Sequence, residues 1–353
     1  MDLAGTRELD AGEPVGSARV RAGERVRPKS VLVLSHADVL ATLPPEECAD
    51  AIATVLAEHA RGEAYAPLRK VMLPPDAAGF MGVMPSCRGP RGDRQATFAL
   101  KANCVMPGNP ARGLDRHQGT VTLFDGEIGV PTAILDGSAI TAIRTAAVTS
   151  VATRLLARDD ARVLAILGAG VQARAHLRAL AWRFDTVTIY SPTAAHAATL
   201  IQGIDGAVAS PSAEHAVRGA DVVITATNSR EPVLEHAWLA PGAHVNAVGA
   251  SRPTARELDA ETVAASALFA DSRESLRNEA GEYRLAIEEG LITGEEHVRA
   301  ELGEVLAGLR PGRTSDQELT LFRSLGLAVE DLAAAELAVA NARRQGIGTE
   351  VQL

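Results

Sequence analysis

The stretch from Val163 to Ala173 constrains the fold more than any other part of the chain. Val163–Leu167 is wholly apolar, and Gly168, Ala169, Gly170, Val171, Gln172 and Ala173 follow at once. A continuous apolar strand belongs inside a parallel sheet covered on both faces, since an exposed strand would alternate with polar residues. A helical pattern then runs through Leu180. Strand, glycine turn and helix start aim backbone N–H groups and the positive helix end at one point, which suits a pyrophosphate. Gly168 permits the tight turn, Gly170 lets a diphosphate approach, and Ala173 stands where a third glycine would ease helix–sheet packing. The bland alternative is an ordinary strand-to-helix turn; the flanking strand and helix favour dinucleotide binding.

The alternation continues. Strands are expected at Val187–Tyr190, Val222–Ala226 and His244–Val248, with a helix near Ala194–Ile201 between the first two. The class is therefore α/β, a doubly wound parallel sheet of Rossmann type. The second strand ends at Tyr190 and is followed by Ser191, Pro192 and Thr193, where an NAD-selective site would carry an acid against the ribose 2′-hydroxyl. Without an acid to repel a 2′-phosphate, the cofactor reading tilts toward NADP over NAD.

Upstream, the pattern differs. Residues 1–28 are polar and aperiodic and read as a flexible extension. Val31–Leu34 forms a strand, Ser35 and Asp38 make a capping box, and Pro44–Pro45 opens a helix with Ala49, Ile52, Ala53, Leu56 and Ala60 on its apolar face. Glu46, Glu47, Asp50 and Glu58 fall elsewhere on that helix. Leu68–Leu135 reads as an antiparallel sheet, with a tight hairpin in which Asp125-Gly126 joins Val121–Phe124 to Glu127–Val130. Helices are expected at Ser138–Ala157 and Gly326–Arg344, and the charged run Glu274–Glu304 as solvated helices. Met84 is expected in the core.

Composition bounds the function. The 353 residues carry 35 Lys+Arg against 44 Asp+Glu, a net charge of −9, with 3% aromatics. Such a chain lacks both the basic patch and the stacking platforms of a nucleic-acid binder. Cys48, Cys87 and Cys104 lie far apart, so neither a disulfide framework nor a metal site is expected. No apolar run resembles a signal peptide or a membrane span, which points to the cytoplasm.

Three basic residues sit in runs too apolar for ordinary surface: Arg69, Lys101 and Arg144. Any one alone reads equally well as a snorkelling side chain or a structural ion pair. Together, in an acidic chain, they read as a pocket for a small carboxylate. A lysine buried beside other cations also has a lowered proton affinity and can exchange a proton.

With these residues in view, Val31 to Arg344 resembles the ornithine cyclodeaminase/mu-crystallin family. The resemblance rests on Gly82–Pro85, Lys101, His117–Thr120, Thr141–Ala147, Gly168–Ala173, Thr225–Asn228, Asn246–Pro253 and Ser324–Asp331. It implies a homodimer with a discontinuous substrate and dimerisation domain, residues 29–142 and 322–353, around a Rossmann domain at 143–321. By the same resemblance Arg69, Lys101 and Arg144 bind the substrate carboxylate. It also implies cofactor contacts at Thr120, Arg144, Val171, Gln172, Ser191, Thr227, Val248, Gly249 and Ser324, and beside them Gly168 and Gly170 of the glycine turn, Thr145 and Thr193 are expected to line the cofactor site.

Two departures bear on chemistry. The family's cyclodeaminases carry an Asp where this chain has Ser251, and a Glu where it has Gly82. A serine hydroxyl cannot act as the general acid/base of a full cyclodeamination cycle. The expectation is reduction of a 2-imino acid by NAD(P)H, with Lys101 or a water held by Ser251 as proton source. An ornithine or lysine cyclodeaminase, an alanine dehydrogenase-like enzyme and a non-catalytic NADP-dependent binding protein are the alternatives. His117 and Asp331 carry structural expectations, Asp331 as a helix-start or pairing residue.

Overall fold

The structure, a computed structural model, describes residues 30–249 and 251–352. The expected extension at residues 1–28 lies outside the described residues. Two sheets organise the rest.

The first sheet comprises β1 (Val31–Leu34), β2 (Ala64–Tyr65), β3 (Lys70–Met72), β4 (Phe80–Arg88), β5 (Thr97–Val105), β6 (His117–Asp125), β7 (Pro131–Asp136) and, from the far end of the chain, β16 (Thr349–Val351). Its order is β16-β1-β7-β6-β5-β4-β2, with β3 on β4, antiparallel except for β1 beside β7. Three helices pack with this sheet: α1 (His36–Thr42), α2 (Pro45–Ala60) and α3 (Gly137–Leu156). Ser35 and Asp38 form the capping box expected of them.

The second sheet comprises β8 (Val163–Leu167), β9 (Thr186–Tyr190), β10 (Ala207–Ala209), β11 (Val222–Thr225), β12 (His244–Ala247), β13 (Ala267–Ala270), β14 (Val298–Glu301) and β15 (Thr320–Arg323). Helices α4 (Val171–Leu180), α5 (Ala194–Leu200), α6 (Ala213–Val217), α7 (Ala260–Ala265), α8 (Arg273–Glu279), α9 (Gly281–Glu288) and α10 (Leu302–Leu306) connect them. The strands are parallel in the order β10-β9-β8-β11-β12-β15-β13-β14. From β8 the chain winds outward to β9 and β10, then returns to β11 on the other flank. That reversal leaves a crevice at the strand ends, where doubly wound sheets bind ligands. Leu164, Ile166, Val222, Ile224, Val245 and Leu321 are sealed from solvent, as an all-apolar central sheet requires.

The last helix, α11 (Ala328–Gln345), ties the two sheets together. It leaves the C-terminal end of β15 and packs on β4, β5 and β6, burying Val329, Leu332, Ala335 and Ala338. Each such Leu or Val contributes about 1.5–3 kcal/mol relative to exposure. Glu330 and Asp331 occupy its first turn, Arg343 and Arg344 its last, matching the helix dipole. α3 makes a similar bridge, touching α2, α11, α4 and β12 as one uninterrupted helix across residue 142.

Several expectations are corrected. The β6–β7 connection is wider than a two-residue hairpin. Glu127–Val130 is loop, the second strand being Pro131–Asp136. Asp125 Oδ1 accepts from the amides of Glu127 and Ile128, and the left-handed residue is Gly129 at φ 72°. The final helix begins at Ala328 because Gly326 sits at φ 83°, outside helical geometry. Glu58, off the apolar face of α2 as expected, is nonetheless buried, held by Arg88 at 2.6 Å and by Arg91 and Arg94 at 3.1 Å each. Within the charged run, Glu282 turns inward to Arg323 and Glu279 to Arg69.

Candidate active site

The three basic residues come from separate elements and converge on the turn between β15 and α11. Arg69, in the segment between β2 and β3, donates Nη2 to the carbonyls of Leu325 (2.5 Å) and Gly326 (2.8 Å). Its Nε pairs with Glu279 at 2.9 Å. Lys101 lies mid-strand on β5 opposite Met84, on the face covered by α11, and is 3% exposed. Its Nζ donates to Asp331 Oδ1 at 2.8 Å. Arg144, on α3, donates Nε to the same oxygen at 3.2 Å and Nη1 to Glu330 Oε2 at 2.9 Å. A Cβ on Gly326 would lie 2.5 Å from Arg144 Nη1, so the guanidinium rests directly on that turn.

The electrostatics follow from burial. Removal from water pushes the Lys101 ammonium down to about 8, Arg144 and Arg69 act in the same direction, and Asp331 opposes them. Arg144 is raised despite burial, because Asp331, Glu330 and Asp271 hold its charge. Asp331 stays below the usual carboxylate range: burial works against it, and Lys101 and Arg144 outweigh that. Asp271 underpins the turn, accepting backbone N–H groups of Leu325 (2.6 Å), Gly326 (2.5 Å) and Ser272 (2.9 Å). His117, at the start of β6, is lowered to about 4 by desolvation and then by Lys101, Arg116 and Arg144, so it is neutral near pH 7. Met84 is buried beside Lys101, as expected of a core residue.

The glycine-rich edge adjoins this group. The C-terminal ends of β8, β11, β12 and β15 lie side by side, and the next residues are Gly168, Ala226–Thr227, Val248–Gly249 and Ser324. Gly168 has φ 124°, and a Cβ there would meet the Ala226 carbonyl oxygen at 2.5 Å. Gly249 passes so close to Thr227 that a Cβ would fall 2.0 Å from its carbonyl oxygen. Glu257 clamps both loops, accepting from Thr227 N (2.6 Å), Thr227 Oγ1 (2.7 Å) and Gly249 N (2.8 Å). Gly170 caps α4 with open space where its Cβ would be, and Val171 is 54% exposed on the first turn. An uncovered helix N-terminus at the sheet's switch point fits a dinucleotide pyrophosphate. Gln172 Oε1 is buried beside it without a partner among the described residues.

Other site expectations fall into place less tightly. Thr145 is buried on α3 one residue beyond Arg144, its hydroxyl bonded to the Thr141 carbonyl. Ser191 is buried at the end of β9, and Thr193 precedes α5 without a side-chain cap bond. Thr120 is exposed and pairs with Ala102; strand alternation turns it to the face opposite Lys101. Ser251 is exposed on the loop after β12, and its neighbour Arg252 stacks over Phe80 at 5.4 Å. Phe80 is four positions from Met84, roughly 13 Å of strand from the Lys101 pairing. Through Arg252 the loop that carries Ser251 meets β4 at Phe80, away from the Met84–Lys101 pair.

Sequence reasoning passed over the acids. Asp331, expected only to pair or start a helix, is the shared acceptor of Lys101 and Arg144, and Glu330, Asp271 and Glu279 stand around it. Their one sequence-level trace is the adjacent Glu330-Asp331 at a helix start, which the dipole alone explains.

Fold and site together define a Rossmann-type dinucleotide protein with a cationic pocket beside the nucleotide cleft. The sequence profile of the ornithine cyclodeaminase/mu-crystallin family matches residues 29–346, and the chain belongs to that family. The ketimine reductase mu-crystallin of Mus musculus is 39% identical over 301 residues, covering 84% of this chain and 90% of its own. A Thermococcus litoralis Delta(1)-pyrroline-2-carboxylate reductase, solved with NADH and L-proline, superimposes with TM-score 0.86 at 36% identity, covering 91% of this chain and all of that one. An archaeal alanine dehydrogenase dimer with bound NAD gives TM-score 0.84 at 32% identity, covering 92% and 99%. The chain is accordingly an NAD(P)-dependent oxidoreductase of the kind that acts on C=N bonds.

Proposed function

We propose that this oxidoreductase reduces 2-imino acids to amino acids with NAD(P)H, taking cyclic ketimines of the pyrroline- or piperideine-2-carboxylate type or linear imines of 2-oxo acids. The observation that carries the reading is the convergence of Arg69, Lys101 and Arg144 on the Leu325–Asp331 turn, at the edge where β8, β11, β12 and β15 end.

The donors left over define what binds. Lys101 gives one of its three N–H groups to Asp331, and Arg144 gives Nε and Nη1 to the acids. The remaining N–H groups suit the two oxygens of a substrate carboxylate, with Arg69 closing the far side. Gly168, Gly170, Val171, Gln172, Ser191, Thr193, Thr227, Val248, Gly249 and Ser324 would hold the dinucleotide, and Arg144 and Thr145 stand where α3 meets its cleft. When bound, that cofactor supplies a hydride. The chain's own residues fix the substrate's carboxylate, orient its C=N carbon and supply a proton to the nitrogen. Lys101 is the proton donor in this reading; it is charged near neutrality yet exchangeable. Ser251 holds water at the mouth of the cleft. NADP is the preferred cofactor, since neither Ser191 nor Thr193 repels a 2′-phosphate.

A homodimer belongs to the same proposal. The first sheet's face away from α11 leaves Phe98 50% exposed, with Val83 and Leu100 half-buried beside it. Dimerisation through it would keep residues 29–142 and 322–353 together as one unit against the nucleotide-binding 143–321.

The test is loss of reduced-nicotinamide absorbance with pyrroline-2-carboxylate, piperideine-2-carboxylate, pyruvate plus methylamine, pyruvate plus ammonia, and ornithine. Oxidation of NADPH with the imines supports the proposal. Activity confined to pyruvate plus ammonia makes the chain an alanine dehydrogenase. Ornithine consumption without net redox makes it a cyclodeaminase, and tight NADPH binding without turnover makes it a binding protein.

A further inference from the structure

The charge balance beneath the pocket leaves no room for another anion. Lys101 and Arg144 are both sealed inside, and two carboxylates, Glu330 and Asp331, already contact them directly. Asp271, also buried, lies under the same turn. Arg69 is drawn off by Glu279, and Arg323 by Glu282. A substrate carboxylate entering this group brings a negative charge for which no unpaired buried cation is waiting among the described residues. Burying an uncompensated charge costs several kcal/mol or more, and titratable sites respond by neutralising instead.

We infer that Glu330 takes up a proton as the substrate's carboxylate binds, so that Glu330 is the charge-compensating positioning residue of the pocket. The inference rests on the carboxylate-binding role proposed for Arg69, Lys101 and Arg144, and adds how that role is made possible.

Elimination singles out Glu330. Asp331 also has a buried oxygen, Oδ2, without a partner among the described residues, but its Oδ1 is held by two cations at once, which keeps its carboxyl below the usual carboxylate range. Asp271 receives three backbone N–H bonds. Glu330 has one side-chain partner, Arg144 Nη1, and backbone support from Leu327 alone, and its Oε1 is buried with no hydrogen-bond donor among the described residues. The groups around it come from every side: Arg144 from α3, Cys48 from α2, Asp271 after β13 and Asp331 on α11 itself, with Lys101 of β5 on the far side of Asp331. Cys48 is pushed up to about 12 by burial and remains a neutral thiol. Burial raises Glu330 to about 7, Arg144 lowers it, and Asp271 and Asp331 add to the rise. It is therefore poised to change state when one more negative charge arrives. Lys101, near 8, is already mostly protonated at pH 7 and has little to take up.

Calorimetric titration of the NADP-loaded protein with pyrrole-2-carboxylate, an unreactive planar carboxylate, tests this. Run at pH 7 in buffers of different ionisation heat, it counts protons. The wild type is expected to take up about half a proton per ligand bound. Glu330→Gln is expected to retain binding and lose most of that uptake, with affinity flat between pH 6 and about 7.5 where the wild type weakens as pH rises. Binding by the wild type without proton uptake overturns the inference and leaves the carboxylate pocket intact, and this count needs no variant. Equal uptake by Glu330→Gln also overturns it, since the proton then goes elsewhere. Absence of binding by the wild type overturns both the inference and the pocket on which it rests.

Discussion

Lys101 and Asp331 are separated by 230 residues in sequence, and their side chains meet at 2.8 Å with both almost closed to solvent. The bond joins the middle of β5 to the first turn of α11, and Arg144 on α3 shares the same oxygen. One carboxylate thus fixes two cations from two elements beside the nucleotide edge. Its effect on Lys101 is specific. Burial lowers the ammonium's proton affinity, while Asp331 keeps it high enough for the group to be charged at neutral pH.

Replacing Lys101 with Ala removes the proposed carboxylate ligand and proton donor together. Imine reduction is expected to fall by about 10²–10⁴-fold, the range for loss of a positioned acid. NADPH binding, followed by quenching of protein fluorescence or by calorimetry, should change less than about threefold, because the nucleotide edge is built by other strands. Undiminished turnover would remove Lys101 from the mechanism.

The pH dependence has a definite sign. With Lys101 titrating at about 8, kcat/KM should fall more steeply above that value as the ammonium deprotonates, on top of the shallower decline that Glu330 brings to carboxylate binding below it. Asp331→Asn removes the neighbour that supports the charged form, so the alkaline limb should move to lower pH. For stability the sign is opposite. The folded-state value lies below that of an unfolded lysine, so this group's contribution improves as pH rises above about 8. A limb that stays in place in Asp331→Asn would assign it to another group.

Glu58 offers a stability test away from the chemistry. Burial alone would raise its pKa, but hydrogen bonds from Arg88 and Arg94 and their charges bring it down to about 2. The stabilisation is present above the ordinary carboxylate range and is lost as pH falls toward about 2. Glu58→Gln leaves Arg88 buried without its anion at one side and is expected to cost about 3–5 kcal/mol in urea unfolding at pH 7. Between pH 4 and 3 the variant should lose less stability than the wild type.

What the sequence made legible was local. The β8 strand, its glycine turn and α4 are consecutive, so an apolar run and glycine spacing suffice to read them. The Ser35–Asp38 capping box and α3 are equally local. The three cations stood out because charge in an apolar run is costly without a partner. Their partners did not stand out, since Asp331, Glu330 and Glu279 are brought in from distant elements by the fold. The same limit explains Glu58, which lies off the apolar face of its own helix and is closed in by Arg88 at the end of β4 and by Arg91 and Arg94 just after it. The insertion of β15 between β12 and β13, which delivers the Ser324–Gly326 turn to the site, is likewise a product of topology rather than of any local pattern.

Gly326 is where backbone geometry and chemistry meet. A side chain there would force a left-handed residue at φ 83° and press its Cβ to 2.5 Å from Arg144 Nη1. Gly326→Ala is expected to cost about 1–3 kcal/mol of stability from the backbone alone. Because Arg144 must also move, KM for the imino acid should rise at least about tenfold. A variant with lowered melting temperature but unchanged KM would show that Arg144 does not hold the substrate.

In the proposed reading, cofactor choice turns on the end of β9. Ser191 follows Tyr190 at the position from which doubly wound folds read the adenosine ribose, and Gly168 N bonds the Tyr190 carbonyl at 2.8 Å, fixing that end against the glycine turn. An acid there would accept from a 2′-hydroxyl and repel a 2′-phosphate. Ser191→Asp is expected to reverse the preference, lowering kcat/KM for NADPH by about tenfold or more, each tenfold being about 1.4 kcal/mol, while NADH is held or improved. Parallel assays with the two reduced nucleotides at fixed imino acid measure the ratio directly. An unchanged ratio would place the ribose away from Ser191 and move the discrimination to the Thr193–α5 segment.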